Sequence, residues 1–334
     1  MPDVPARKNL ASGFPAPMRS GQTSADQENL FLRNWNPLML AADLVSGEIR
    51  GIDFLGSRVI VYRDKAGAPV VQTAYCPHLG ADLSGGEIIE GEVRCPYHHW
   101  RFASDGRCSV IPSINSRPPR VARIYNYPAA ERWGIIWAFN GEDPLYDIPE
   151  FPDVSEDEMI FRPYHHGLRN VEAWIPSSNS VDFQHLTTVH GIKDVYAAGV
   201  EFGTFKITIR QDTEARKVNS AVYGGTWSSL HANYADGSER FFMAGSSQVA
   251  RGMTDSYLVM GIRKTLAATM TPDELDSLFT TQLQYLQKIY AEDDYILCDL
   301  RLRRRGEATL IEPDAHLAKF FDFISDYPKQ KAMD

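Results

Sequence analysis

The stretch from Cys76 to His98 constrains this chain more than any other. It reads Cys76-Pro77-His78, then sixteen residues, then Cys95-Pro96-Tyr97-His98. Two loops, each offering one thiolate and one imidazole, suit a metal centre with mixed ligands. In a [2Fe–2S] cluster of this kind Cys76 and Cys95 would hold one iron and His78 and His98 the other. Exchanging two thiolates for neutral imidazoles lowers the negative charge of the centre and raises its potential. The rival is a structural zinc site of two cysteines and two histidines, tetrahedral and built from the same ligand types. Zinc spacings usually keep both cysteines in one knuckle and both histidines in another. Here each loop carries one of each, as a cluster gripped from two sides requires.

The longer strings Cys76-Pro77-His78-Leu79-Gly80-Ala81-Asp82-Leu83-Ser84-Gly85-Gly86 and Cys95-Pro96-Tyr97-His98-His99-Trp100-Arg101-Phe102 resemble the cluster loops of Rieske non-heme iron oxygenases. Those are the terminal oxygenase (alpha) subunits of aromatic-ring-hydroxylating systems. The continuation Asp105-Gly106-Arg107-Cys108 and Ile111-Pro112 is most similar to the ketosteroid 9α-hydroxylase branch. Respiratory-chain Rieske proteins add a cysteine to each loop to form a disulfide; this chain lacks both, since Cys108 lies well past the second loop. Gly80, Gly85, Gly86 and Gly106 suit loops that turn backbone N–H groups toward sulfur, and suit ordinary turns equally. Trp100 either covers the cluster or fills a small β core.

At 334 residues the chain has room for about two domains, each with its own core. A net charge of −9 argues against a nucleic-acid footprint, which would be basic. No run of ~18 apolar residues occurs, so no membrane span is expected, and residues 1–27 carry no secretory-type apolar stretch. Of four cysteines, Cys108 and Cys298 remain as free thiols, consistent with a reducing compartment. A cytoplasmic protein is the expectation.

Residues 1–29, rich in Pro, Ser, Gly and Ala, read as a loosely ordered arm. The β-branched runs Ile52–Arg63, Pro69–Tyr75, Val121–Tyr127 and Trp133–Phe139, punctuated by turn residues, predict an antiparallel β domain over 30–145. Pro144, Pro149 and Pro152 in an acidic stretch mark the boundary, with a second domain over 146–334.

That second domain opens with another metal motif, Asn179-Ser180-Val181-Asp182-Phe183-Gln184-His185-Leu186-Thr187-Thr188-Val189-His190. Two imidazoles and one carboxylate form the facial triad that leaves iron(II) open for O2 and substrate. A pair of histidines alone is more often structural; its company with the cluster motif reverses that weighting. His190 lies about a turn and a half past His185, so a helix end or distortion must bring it round. The string also resembles the family signature Asn-x-x-Asp-x-x-His-x4-His at all four marked positions. The resemblance implies mononuclear Fe(II) on His185 and His190, with Asn179 near the iron. Asp182, it implies, hydrogen-bonds His185 on one side and a cluster histidine of a neighbouring subunit on the other, as the electron bridge. The third ligand would come from Ala291-Glu292-Asp293-Asp294-Tyr295-Ile296-Leu297. Asp293 is preferred, Asp294 is its rival and Glu292 the outsider; such acidic runs are also commonly a solvated helix face.

Strands over 202–211, 216–223, 227–234, 240–249 and 255–264, separated by hairpin-type turns, precede a long helix from Pro272 to about Arg305. Thr271 is its N-cap and Pro272 its first residue. The fold class is therefore α+β: an antiparallel β Rieske domain, then a helix-grip (START/Bet v1-like) catalytic domain with a curved antiparallel sheet around the long helix. A pocket between sheet and helix should be apolar. Val195, Tyr196, Phe202, Phe205, Trp227, Leu230, Phe242, Met243, Met260 and Phe279 are candidate walls, each also explicable as core. No charged anchor stands out on these strands, which favours a hydrophobic ring compound over a small carboxylate.

The resemblance implies an NAD(P)H-dependent oxidoreductase that uses O2, with electrons arriving through a separate reductase or ferredoxin, since no dinucleotide loop is present. It also implies a head-to-tail ring, typically a homotrimer, in which one subunit's cluster faces the next subunit's iron; a heterologous contact that closes makes such a ring. Monooxygenation of an aromatic or steroid-like substrate is favoured, with cis-dihydroxylation (a dioxygenase) and oxidative O- or N-demethylation open. Outside that class stand a Rieske-type electron carrier with an appended ligand-binding domain, and a helix-grip lipid binder with a zinc-stabilised β domain. The basic run Arg301, Arg303, Arg304 and Arg305 either docks an acidic carrier or complements a helix C-terminus, the latter preferred.

Overall fold

The computed structural model of the chain describes residues 30–298, 300 and 308–333. The expected arm and the basic run at Arg301, Arg303, Arg304 and Arg305 lie outside them.

The β-branched runs of the N-terminal part pair as short antiparallel strands. Arg50–Phe54, Ser57–Arg63, Pro69–Thr73 and Asn126–Tyr127 make one four-stranded sheet; Trp35–Leu40, Ala129–Arg132 and Ile135–Phe139 make a three-stranded one. A small sheet of Glu87–Ile89, Glu92–Arg94, Arg101–Phe102 and Cys108–Val110 carries the second cluster loop. The run expected as one strand over 52–63 is a hairpin instead. Leu55 (φ 54°) and Gly56 (φ 76°) turn it, a two-residue connection that needs positive φ at both positions. Leucine is an unusual choice there; its burial at 2% exposure beside Phe54 and Val59 offsets the backbone cost. Of the run expected over 121–127, only Asn126–Tyr127 enters a ladder.

The second part is a seven-stranded antiparallel sheet. Its order is Met159–Arg169, Met253–Arg263, Glu239–Ala250, Trp227–Tyr234, Arg216–Tyr223, Lys206–Asp212 and Gly199–Phe202. The long helix Pro272–Leu297 lies on one face. Thr271 and Glu274 cap each other reciprocally at its start, with Pro272 in the first turn. The helix ends at Leu297 rather than near 305, with Cys298 as its C-cap. A further helix, Ala315–Asp326, and a last strand, Lys329–Lys331, follow.

Both faces of this sheet are covered, and residue parity decides which side chain goes where. Leu258, Met260 and Ile262 pack on the helix residues Phe279, Leu286 and Tyr290. Their neighbours Tyr257 and Val259 turn the other way, into a core shared with Trp35, Trp133 and Trp137 of the N-terminal part. Strand Ile135–Phe139 is buried on both sides for the same reason. Ile136 and Ala138 join the N-terminal core, while Ile135, Trp137 and Phe139 join the shared one. Polar ties reinforce that contact: Tyr257 donates to the Leu38 carbonyl (2.8 Å), and Asn34 Nδ2 to that of Gly224 (2.8 Å). The strand Lys329–Lys331 returns to pair with Leu30–Leu32.

Candidate metal centres

The first cluster loop leaves strand Pro69–Thr73 and closes on itself: Cys76 N–H donates to the Ala81 carbonyl and Gly80 N–H to that of Cys76. The second closes through Cys95 N–H to the Trp100 carbonyl (2.8 Å). Cys76 and Cys95 are buried at 2% and 1% exposure, whereas His78 and His98 are exposed at the loop tips. The two imidazole rings stand 4.5 Å apart, and the Trp100 indole stacks flat on His78 at 4.5 Å. Trp100 therefore covers the outer, imidazole side of this site. Gly86 is a matter of close packing, since a Cβ there would collide with the Arg94 carbonyl.

Burial pushes the Cys76 thiol up to about 11, with Cys95 adding to the effect and the His78 N–H opposing it. Unaided, the protein keeps this sulfur protonated; a bound cation deprotonates a coordinating thiol outright. Two buried thiols beneath two exposed imidazoles fit a cluster with a sulfur-held inner iron and an imidazole-held outer one.

The second site is built from two short helices and the long one. Asp182 caps the helix Phe183–Thr188, accepting through Oδ1 from the backbone N–H of His185 (2.9 Å). The helix stops at Thr188, and this end, rather than a distortion within it, frees His190 to turn back toward His185. Their Nε2 atoms lie 2.9 Å apart. Asp293 comes in from the long helix, its Oδ1 at 3.0 Å from His185 Nε2 and 3.1 Å from His190 Nε2. Two ring nitrogens so placed can share only one proton, and Asp293 Oδ1 is buried without a well-formed hydrogen bond. Three donor atoms thus aim at one point. Two imidazoles and a carboxylate are the donor set of a non-heme iron(II) site, so the residues fit that metal.

Electrostatics favour a cation there. Burial pushes the Asp293 carboxyl up, but His185 and His190 outweigh it and hold the group at about 2. Burial alone would lower His190; Asp293 and Glu292 overcome this and raise it. Glu292 lies 2.9 Å from His190 Nδ1. A carboxylate can only accept, so it holds the proton on Nδ1 and leaves the Nε2 lone pair for metal. Asn179 Nδ2 donates to Asp293 Oδ2 (3.2 Å). Asp294 faces elsewhere, 2.6 Å from Arg169 and 3.6 Å from His166. Asp182 reaches the backbone of His185, not its ring.

A cavity of about 230 Å³ reaches Asn179, His190 and Asp293 between sheet and helix. Of the residues expected in its walls, Val195, Leu230 and Phe242 are there. Trp227, Met243, Met260, Phe202 and Phe205 are not. Ser228 and Leu230 face the cavity, so Trp227 faces away, packed on Trp137 at 4.7 Å. Phe242 and Ala244 likewise leave Met243 on the opposite face. Met260 and Phe279 fill the helix–sheet core. Phe202 packs near Phe323, Phe205 near Tyr146 and Tyr327, and Tyr196 near Phe183. Sequence reading missed Arg216 and Gln211 in this wall. Their signal was register: Ser220 pairs with Leu230, so Arg216, four residues earlier on the same strand, shares its face.

A β domain with two Cys–His loops, joined to a sheet-and-helix domain with a site of two histidines and an aspartate, brings the donor sets of two metal centres into one chain. Residues 34–128 match the Rieske [2Fe-2S] domain model. The oxygenase component of 3-ketosteroid-9-alpha-monooxygenase from Mycobacterium tuberculosis is 36% identical over 133 residues, covering 38% of this chain and 34% of that protein. Phenoxybenzoate dioxygenase subunit alpha from Ectopseudomonas oleovorans is 32% identical over 244 residues, covering 65% of this chain and 56% of that protein. These alignments span about a third of one curated relative and just over half of the other. Among solved structures, a Pseudomonas putida NdmA variant with caffeine shares the fold at TM-score 0.73 and 18% identity, covering 88% of this chain and 90% of that one. Residues 34–128 thus form a Rieske [2Fe-2S] domain, and over part of its length the chain is similar to the oxygenase components of Rieske systems.

Proposed function

We propose that the chain is the terminal component of a multi-component oxygenase that hydroxylates a hydrophobic, ring-bearing substrate. In this reading residues 30–145 form the cluster domain and 146–334 the catalytic domain. The observation that carries it is the convergence of His185, His190 and Asp293 on one point at an apolar cavity, in a chain whose other domain is of Rieske type. When bound, the cluster stores an electron and the ferrous ion supplies the O2 chemistry. The protein's part is orientation. Asn179 fixes one oxygen of Asp293 so the other stays aimed, Glu292 sets the tautomer of His190, and the apolar cavity limits water around the reacting ring.

Electrons would come from NAD(P)H through a separate reductase or ferredoxin. A head-to-tail homotrimer, with Asp182 bridging to the next subunit's cluster, suits the exposure of His78 and His98 beside the bare side chains of Leu79 and Tyr97. Among the described residues no helix is long and apolar enough to cross a membrane, and a cytoplasmic location is part of the proposal. The test is NAD(P)H-dependent O2 uptake with a surrogate reductase, using 18O2 and candidate ring compounds. Label from 18O2 in the product, lost in His185→Ala, is the expected result. Label drawn from water instead would refute the reading.

A further inference from the structure

We propose that Arg216 anchors an anionic group of the substrate, so that this site selects a one- or two-ring carboxylic acid over its neutral analogues. The proposal rests on the oxygenase reading for the fate of the ring, but not for its binding.

Arg216 opens the strand Arg216–Tyr223, and Arg216, Val218 and Ser220 all line the cavity. The residue between the last two, Asn219, turns outward to hydrogen-bond Asp153. The guanidinium is held at two points: Nε donates to Gln211 Oε1 (3.2 Å) and Nη2 to the Lys193 carbonyl (3.0 Å). Five N–H donors are available in a fixed fork, so three remain. Among the described residues no carboxylate lies within 4.0 Å of it. The other charges of the wall are matched: Arg169 by Asp294, and Asp293 by two imidazoles. A preorganised guanidinium without a counter-ion, facing a mostly apolar cavity, is a bidentate receptor for carboxylate.

Size narrows the ligand further. The cavity, about 230 Å³, falls below the ~300–1,000 Å³ of pockets for drug-sized ligands, which disfavours four fused rings. Lys193 follows His190 by three residues, at most about 11 Å of chain. The guanidinium is therefore tethered to the chain segment that carries a metal ligand, and with the cavity volume this suits one or two rings whose acid end meets Arg216.

The test is calorimetric titration of the iron-loaded full chain with benzoate against benzamide and 2-naphthoate against 2-naphthamide. At least one acid should bind about 10- to 100-fold more tightly than its amide. Arg216→Gln should bring that ratio to about one, and Arg216→Lys, which keeps charge but not the fork, should leave an intermediate value. Reading the ratio separates anchoring from any loosening of the loop at Lys193, which weakens acid and amide alike. If Arg216→Gln does not fold, the drop in ratio with Arg216→Lys decides. Equal binding of acid and amide, a ratio that survives substitution, or no binding by either acid would overturn the proposal. Discrimination without any O2 uptake would sink the oxygenase reading and keep this one; O2 uptake driven only by neutral rings would do the reverse.

Discussion

Asp293 and Asp294 are neighbours on one helix, and exchanging each for asparagine should give opposite phenotypes. Asp293→Asn removes the buried oxygen at 3.0 and 3.1 Å from the two imidazoles. In iron-free protein the carboxyl is held at about 2 against an ordinary 3.8, which corresponds to about 2 kcal/mol. Because the folded value lies below the unfolded one, that stability is present above 3.8 and fades as pH falls toward 2. The larger effect is on metal. Losing an outer partner of a ligand costs about 10- to 100-fold in affinity, and losing the charged ligand itself should exceed that. Asp294→Asn instead breaks the ion pair with Arg169, a residue 4% exposed. Removing one partner of a fully buried pair costs about 3–5 kcal/mol. With the Asp294 side chain 31% exposed and asparagine still able to accept, about 1–3 kcal/mol is expected, a fall in Tm of roughly 3–10 °C. Iron per chain by mass spectrometry, with thermal melts in chelator, reads both. Asp293→Asn should keep two cluster irons and lose the third; Asp294→Asn should keep three and melt earlier. The reverse pattern would refute the assignment of ligand and brace.

Three further outcomes follow from particular contacts. Trp227→Ala, at a buried seam against Trp137, should cost about 3–5 kcal/mol and leave substrate KM unchanged, whereas Leu230→Ala should shift KM; a thermally neutral Trp227→Ala that alters KM would restore Trp227 to the pocket. Burial raises the Glu172 carboxyl against the opposing pull of Arg251 and Gly252, so the folded state binds the extra proton and stability falls as pH rises from 4.5 through the raised value. Glu172→Gln should flatten that part of the Tm–pH curve, and an unchanged slope would contradict it. Asp182→Ser keeps a helix cap but removes the carboxylate, so both metals should stay while turnover collapses; loss of iron together with activity would argue against a bridging role.

What was legible in the sequence was local. The cluster loops and the His185–His190 string each lie within a few turns of chain, where spacing translates directly into geometry. The choice between Asp293 and Asp294 was not local: adjacent helical residues point about 100° apart, and Arg169, far upstream, decides which faces the metal. Strand Met159–Arg169 went unseen because Pro163, Gly167 and two histidines break its alternation. It is an edge strand, where proline is tolerated. Sorting pocket from core failed for a different reason. With helix on one face of the sheet and the N-terminal domain on the other, both faces are apolar, so Trp227 and Leu230 look alike until register is known.

The central claim is that one chain holds an electron-storing cluster and a separate ferrous site. Iron counted per chain alongside the visible spectrum tests it most directly. Three irons are predicted, two of them in a reducible iron–sulfur chromophore that survives His185→Ala while the third is lost. A colourless protein carrying a single zinc would contradict the account.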